Sequence, residues 1–527
     1  MRTWSLAKGA VVAAAVCTLV TQFLLYFRWL AHYANEDQTL LWAAARDWGH
    51  VRPRQPNFWG QDYSTTFEAI PAALFHGLGL SYGSALTLAV LLLNLAAWFA
   101  LGFAAWRLGR PMLAVLAFGA IAAMSVDHAV LTIGYNTAAP RALLAVAAAT
   151  LLLVGRHRWL VVGALSLALL TLCWDASGLL LFAPMVFYAV ARHRPRPAQW
   201  RFLLAALVAI GAPTVAWLQF TSAWYDRHPE DAMHAPPTLE PGWSRLVHNL
   251  STPNKFFGAF GSALWVSWLV PAAVVVLLLV VALRRNDRLA LVSVLSVVGV
   301  TFLILSVPRA AEALDTPYLP NARTLLPLPM ALVFCAAILR PAIRPAEATG
   351  SASSERSVRG GQLRVAVAVA APLIGLLGLV VAWQQQAGEL KDKAIAYSVY
   401  PQRRNEVLDD LCGRVQTAAD AHHVDTVVFD LKVSTYACAA LGTHLVTVYP
   451  QYERRSWVLR TFLDHPDEPF IFVSELDDQV AVDFSQPWCQ VIATGQGFEN
   501  FLLCTPDELV WRIDLLNYLN QPVRTTF

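Results

Sequence analysis

Long uninterrupted apolar stretches constrain this chain more than any other feature. Residues 84–106, 202–222, 263–283 and 365–382 are each long enough, as helix, to cross a hydrocarbon core of roughly 30 Å. Backbone polar groups in such a core must be satisfied within the segment, so these stretches are helices. Only 14% of the 527 residues are charged and 57% are hydrophobic, against about 25% charged in ordinary soluble domains. The chain reads as a polytopic α-helical membrane protein.

About eleven spans are expected, at 9–30, 81–106, 111–126, 138–155, 159–173, 177–191, 202–222, 263–283, 289–307, 322–339 and 365–384. Their connections sort by charge. Arg107 and Arg110, Arg156 and Arg158, Arg192 to Arg201, Arg284 to Arg288, and Arg340 to Arg364 fall on one side. Acidic residues Glu36, Asp37, Asp62, Asp127, Asp175, Asp226, Glu230, Asp231, Glu312 and Asp315 fall on the other. By the positive-inside rule the arginine side is cytoplasmic. The N-terminus is then cytoplasmic, and the acidic loops and the segment after the last span are outside. The first apolar stretch exceeds the roughly 7–15 residues of a signal h-region, and an uncleaved helix is expected there.

Two domains follow from composition. Residues 1–386 form the transmembrane body, whose first external loop, 31–80, carries amphipathic helical patterning. A Pro-, Ser- and Arg-rich linker at 341–363 precedes the last span. Residues 387–527 change character. DTVVFDL, THLVTVYP and EPFIFVSEL read as strands, and 403–421 and 452–463 as helices. A C-terminal extracytoplasmic (periplasmic) α/β domain is expected. Of seven cysteines, Cys17, Cys173 and Cys335 lie in spans. Cys412, Cys438, Cys489 and Cys504 lie in the tail, where an oxidising compartment permits two disulfides in any of three pairings.

Groups able to do chemistry gather on the acidic side. Glu36-Asp37 follows the first span directly, and carboxylates at the mouth of a helical bundle are costly unless a ligand, proton or cation uses them. A transferase needs a base near its acceptor oxygen, and partial desolvation raises a carboxylate's basicity. The same residues also suit the start of a helix near Thr39. Gln61, Asp62, Tyr63 and Glu68, in GQDYSTTFEA, offer amide, carboxylate and phenol groups suited to a polyhydroxylated ligand, or else form a polar turn capped at Ser64. Asp127 and His128 end the third span. Arg323 opens the tenth, where a guanidinium can hold a phosphate with paired hydrogen bonds or snorkel to the interface.

Four stretches carry a resemblance to a known superfamily: NEDQTLL, NFWGQDYSTTFEAIPAALFHGLG, LLTLCWDASGLLLFAPMVFYAV and YLPNARTLLPLP. They resemble the GT-C polytopic glycosyltransferases, especially bacterial relatives of the protein O-mannosyltransferases and the lipid A aminoarabinose transferases. The resemblance covers the body to about residue 340. It implies an enzyme of the bacterial inner membrane that moves a sugar from a polyprenyl-phosphate donor to a cell-envelope acceptor with inversion. Membrane lipids are its surroundings, and no cofactor, metal or nucleic-acid partner is implied. By the same resemblance Asp37 or Glu36 is the base, Asp127 a second acid, and Arg323 the stabiliser of the departing lipid phosphate. The acidic order here is Glu-Asp rather than Asp-Glu, which leaves the choice of base open. Two other readings use the same residues: a lipid or glycan transporter, and a non-catalytic envelope assembly protein. The sequence shows no paired repeat of the kind common in transporters.

Overall fold

A computed structural model of the chain describes residues 2–28, 30–34, 36–51, 56–57, 65–119, 138–154, 158–174, 179–193, 197–228, 242–244, 246–247, 264–306, 328–339, 384, 403–429, 432–441, 445–447, 468–474, 489–494 and 500–504. The chain divides into two compact units. The first comprises 1–26, 90–216 and 235–393, and the second 27–89, 217–234 and 394–527.

Helices dominate the first unit. They are α1 (Arg2–Arg28), α4 (Tyr82–Arg107), α5 (Pro111–Gly119), α6 (Ala138–Val154), α7 (Arg158–Trp174), α8 (Leu179–His193), α9 (Pro197–Arg227), α10 (Leu264–Arg284), α11 (Arg288–Ser306) and α12 (Leu328–Ile338), with the ends of α1, α4 and α9 at 27–28, 82–89 and 217–227 falling in the second unit. Among the described residues four segments are long and apolar enough to cross a membrane: Ala7–Leu24, Tyr82–Arg107, Trp200–Arg227 and Arg288–Ser306. Shorter apolar helices occupy Ala142–Val154, Arg158–Cys173 and Ala272–Arg284. The expected span at 365–384 lies outside the described residues except for Gln384.

Small side chains set the packing of this unit. Residues 142–150 of α6 are buried without a break, seven of them apolar alanine, leucine or valine inside 142–148. A helix buried all round is a bundle centre, and α7, α8 and α12 pack against it. Association inside a bilayer rests on close van der Waals contact, which alanine-rich faces allow. Gly102 of α4 is one such approach, because a Cβ there would stand 2.6 Å from the Phe118 ring of α5.

Local chemistry fixes where the arginine-bearing hairpins turn. After α4, Gly109 takes φ 72°. Its N–H donates to Trp106 O at 2.8 Å, and the Arg110 N–H donates to Ala105 O at 3.0 Å. This pair of bonds closes a helix end, and Pro111 then opens α5, where a missing N–H costs nothing. Asn286 (φ 47°) ends α10 in the same way, and Asp287 Oδ1 accepts from the Ala290 N–H to start α11.

The second unit joins the first loop to the tail. It holds β1 (Tyr33–Ala34), α2 (Glu36–Gly49), α3 (Ala69–Gly77), β2 (Arg403–Arg404), α13 (Asn405–His422), β3 (Thr426–Phe429), α14 (Lys432–Leu441), β4 (Leu445–Thr447), β5 (Phe470–Ser474), β6 (Cys489–Thr494) and β7 (Asn500–Cys504). The five-stranded sheet has the order β4-β3-β5-β7-β6. β3 runs parallel to β4 and β5, while β7 is antiparallel to both β5 and β6. Parallel β3 is buried at Val427, Val428 and Phe429, as strands covered on both faces are. Leu408, Leu411, Cys412, Val415 and Ala419 form one buried stripe along α13 at helical spacing.

Three expected strands are present, at 426–429, 445–447 and 470–474, and the expected helix at 403–421 is α13. The expected helix at 452–463 lies outside the described residues. Strands β6 and β7 and helix α14 did not stand out in the sequence. Two disulfides are formed, Cys412–Cys438 and Cys489–Cys504. The first ties α13 to α14, and the second ties β6 to β7.

Candidate functional site

The acidic pair opens α2. Glu36 is its first residue and Asp37 its second. Backbone N–H groups at a helix start have no intrahelical acceptor, and the dipole there favours negative charge. The sequence order therefore puts both residues in the first turn of α2.

The approach to α2 is held by the tail. Tyr33 and Ala34 of β1 pair antiparallel with Arg404 and Arg403 of β2. One step further back, Asn405 Nδ2 donates to the Ala31 carbonyl at 2.5 Å. Gly83 lies alongside, where a Cβ would collide with the Asn405 amide and stand 3.1 Å from the Trp42 ring. Glycine is required at that position by this close approach.

Beyond its first turn α2 is enclosed by protein. Leu40, Leu41, Trp42, Ala43, Ala44 and Ala45 are all at most 4% exposed. The sequence pattern predicts an amphipathic helix lying at the lipid headgroups. The structure instead buries every side of this stretch, with α14 of the tail and α3 packed on it. Arg46 then donates from Nη1 to the Ala439 carbonyl in the last turn of α14, at 2.5 Å. A cation at a helix C-terminus, bonded to a carbonyl the helix leaves open, is favoured by charge and by hydrogen bonding.

A second layer forms below. Trp48 Nε1 donates to Thr66 Oγ1 at 3.2 Å. The Phe67 ring sits 6.4 Å from Trp48 and 5.4 Å from Trp217. Glu68 follows and is 1% exposed, directly before α3. A carboxylate so buried is costly unless a partner or ligand compensates it. His76 closes α3 by stacking on Tyr82 with ring centroids 3.7 Å apart.

Of the expected site residues, Glu36, Asp37 and Glu68 fall in described backbone, and all three belong to the second unit. Gln61, Asp62, Tyr63, Asp127, His128 and Arg323 lie outside the described residues. Sequence reasoning missed Arg46 and Asn405. Neither carries a motif, and each acts on a backbone carbonyl hundreds of residues away.

The fold that results joins a helical body to a mixed α/β tail. Two solved structures share it. One is ArnT from Cupriavidus metallidurans bound to undecaprenyl phosphate, with a TM-score of 0.58, 15% identity, and coverage of 95% of this chain and 99% of ArnT. The other is the same protein in the apo state, with a TM-score of 0.58, 15% identity, and coverage of 98% and 99%. No protein-family model matches the chain, and no curated protein matches it in sequence.

Proposed function

We propose that the protein is an inverting GT-C glycosyltransferase that takes a sugar from a polyprenyl-phosphate donor on the outer face of the inner membrane. The observation that carries this reading is a fold shared over 95% of the chain with ArnT bound to undecaprenyl phosphate. The acidic pair at the head of α2 supports it chemically.

In this reading eleven helices cross the membrane, the N-terminus is cytoplasmic, and the tail is extracytoplasmic. Two disulfides in the tail support that side, because they persist in oxidising compartments. One carboxylate of Glu36-Asp37 takes the acceptor proton, and the acceptor oxygen attacks the anomeric carbon as the bond to the lipid phosphate breaks. Arg323 neutralises the departing phosphate, an interaction that strengthens as charge develops. Asp127 is a second acid at the site, and Gln61, Asp62, Tyr63, Glu68 and His128 serve the sugar. The acceptor is a cell-envelope hydroxyl.

The test incubates the purified chain with a panel of undecaprenyl-phosphate sugars and reads thermal stabilisation and sugar transfer. A ligand present at 100 times its Kd stabilises by about 2.7 kcal/mol. Asp37→Asn or Glu36→Gln is expected to abolish transfer without loss of membrane insertion. The assignment of the base fails if both single variants and the double variant transfer sugar at the wild-type rate.

A further inference from the structure

The tail grips the chain on both sides of the acidic pair. Upstream, β1 pairs with β2 at residues 33–34, and Asn405 holds the Ala31 carbonyl. Downstream, α2 lies along α14, with Arg46 on the Ala439 carbonyl. The two gripping pieces are one body: Asn405 begins α13, Ala439 lies in the last turn of α14, and Cys412–Cys438 bridges those helices. Only Asn35 separates the upstream grip from the head of α2.

From this we propose that Asn405 and Arg46 are positioning residues for transfer. They fix the head of α2 on the disulfide-bridged pair α13–α14, so the tail sets where the backbone that bears Glu36-Asp37 stands. The inference rests on the acidic pair being the base. A carboxylate that must reach an acceptor proton loses rate steeply when misplaced, and about 1 Å of error can cost 10²-fold. Each residue bonds a backbone carbonyl of the second unit. The expected loss therefore falls in the chemical step and spares donor affinity.

Arg46 also meets a simpler account, in which it merely caps α14 and stabilises the tail. Gly83 separates the two. Gly83→Ala removes no hydrogen-bonding group and leaves the Arg46 cap of α14 untouched, while its methyl displaces the Asn405 amide from its partner and presses on the Trp42 ring of α2. A stability role predicts no effect of that change on rate, whereas a positioning role predicts a loss.

The experiment uses the full-length chain in nanodiscs, with Asn405→Ala, Arg46→Ala, Arg46→Lys and Gly83→Ala. Amide hydrogen exchange is read over 36–49, and steady-state transfer is read with the undecaprenyl-phosphate sugar that the wild type accepts. For Asn405→Ala, Arg46→Ala and Gly83→Ala, exchange at the head of α2 is expected to speed up by about tenfold or more. Their kcat is expected to fall by about 10- to 100-fold with KM inside about twofold. Arg46→Lys recovers part of both, since an ammonium still donates one bond.

Wild-type exchange and kcat in those three variants, beside an inactive Asp37→Asn, would overturn the inference and leave the base intact. A fall that tracks loss of global thermal stability, or that lies wholly in KM, also overturns it. Retained transfer in the Glu36→Gln, Asp37→Asn double variant sinks the base instead, and this inference with it.

Discussion

Arg46 and Ala439 lie 393 residues apart in sequence and meet through a single charge-assisted hydrogen bond, Nη1 to carbonyl oxygen, at 2.5 Å. The bond joins the segment after the first helix to the tail. It makes α2 and α14 one packing unit, with the central residues of α2 closed off from solvent and lipid. Protection against hydrogen exchange is therefore expected to be similar in 40–46 and 432–441, and Arg46→Ala is expected to lower both together. Exchange mass spectrometry on the two peptides reads this directly, and independent changes would dissociate the helices.

The Cys412–Cys438 disulfide closes a separation of 26 residues. Constraining a loop of that length in the unfolded chain is worth about 3 kcal/mol in the entropy model. The Cys412→Ala, Cys438→Ala double variant is expected to lower the unfolding midpoint of the tail. The Cys489→Ala, Cys504→Ala pair closes only 15 residues between strands that are already neighbours. A smaller loss is expected there. Thermal unfolding of the two double variants orders them, and the reverse order would show that native packing, and not loop closure, dominates.

Gly102 faces the Phe118 ring with no room for a methyl group. Gly102→Ala is expected to destabilise the first unit by about 1–3 kcal/mol, the usual cost of overpacking. Phe118→Leu in the same chain relieves the clash, so the double variant should recover stability that each single change loses. A thermal melt of the four proteins closes the cycle. Additive losses would mean that the two positions do not meet.

Tyr26 and Asn94 are both fully buried in the first unit, and the Asn94 amide donates to the Tyr26 hydroxyl at 3.1 Å. Removing the acceptor with Tyr26→Phe strands a polar group in the apolar interior. Measured hydrogen bonds between membrane helices average about 0.6 kcal/mol, and a loss of about that size is expected in the melting free energy. Asn94→Leu in the Tyr26→Phe background should restore it, because no amide is then left unpaired.

Segments such as Tyr82–Arg107 and Arg288–Ser306 were legible because crossing a bilayer is a local demand. A run of apolar residues answers it without reference to any partner. Helix ends at Gly109 and Asn286 are also local, set by backbone conformation and the residue that follows. Strands β3, β4 and β5 showed as short apolar runs. β6 and β7 were less visible: CQVIAT is interrupted by a polar residue, and NFLLC gives a buried run too short to separate strand from helix.

The head of α2 shows where local reading ends. Its apolar residues suited a helix lying on lipid, and that helix is present. What covers it is another stretch of protein, brought in from almost the far end of the chain. Asn405 and Arg46 could not be singled out beforehand, because a bond to a backbone carbonyl leaves no complementary residue in the sequence to match.

The amino-acid order alone determined the apolar, helical character of the chain and the acid pair at a helix start. These follow from transfer energies and capping, which act over a turn or a span. Only the tertiary structure decided that the first loop and the tail share one core, which cysteines join, and which side chains grip the segment leading into α2. Those outcomes depend on surfaces meeting across hundreds of residues, where burial and shape, not neighbouring sequence, select the partner.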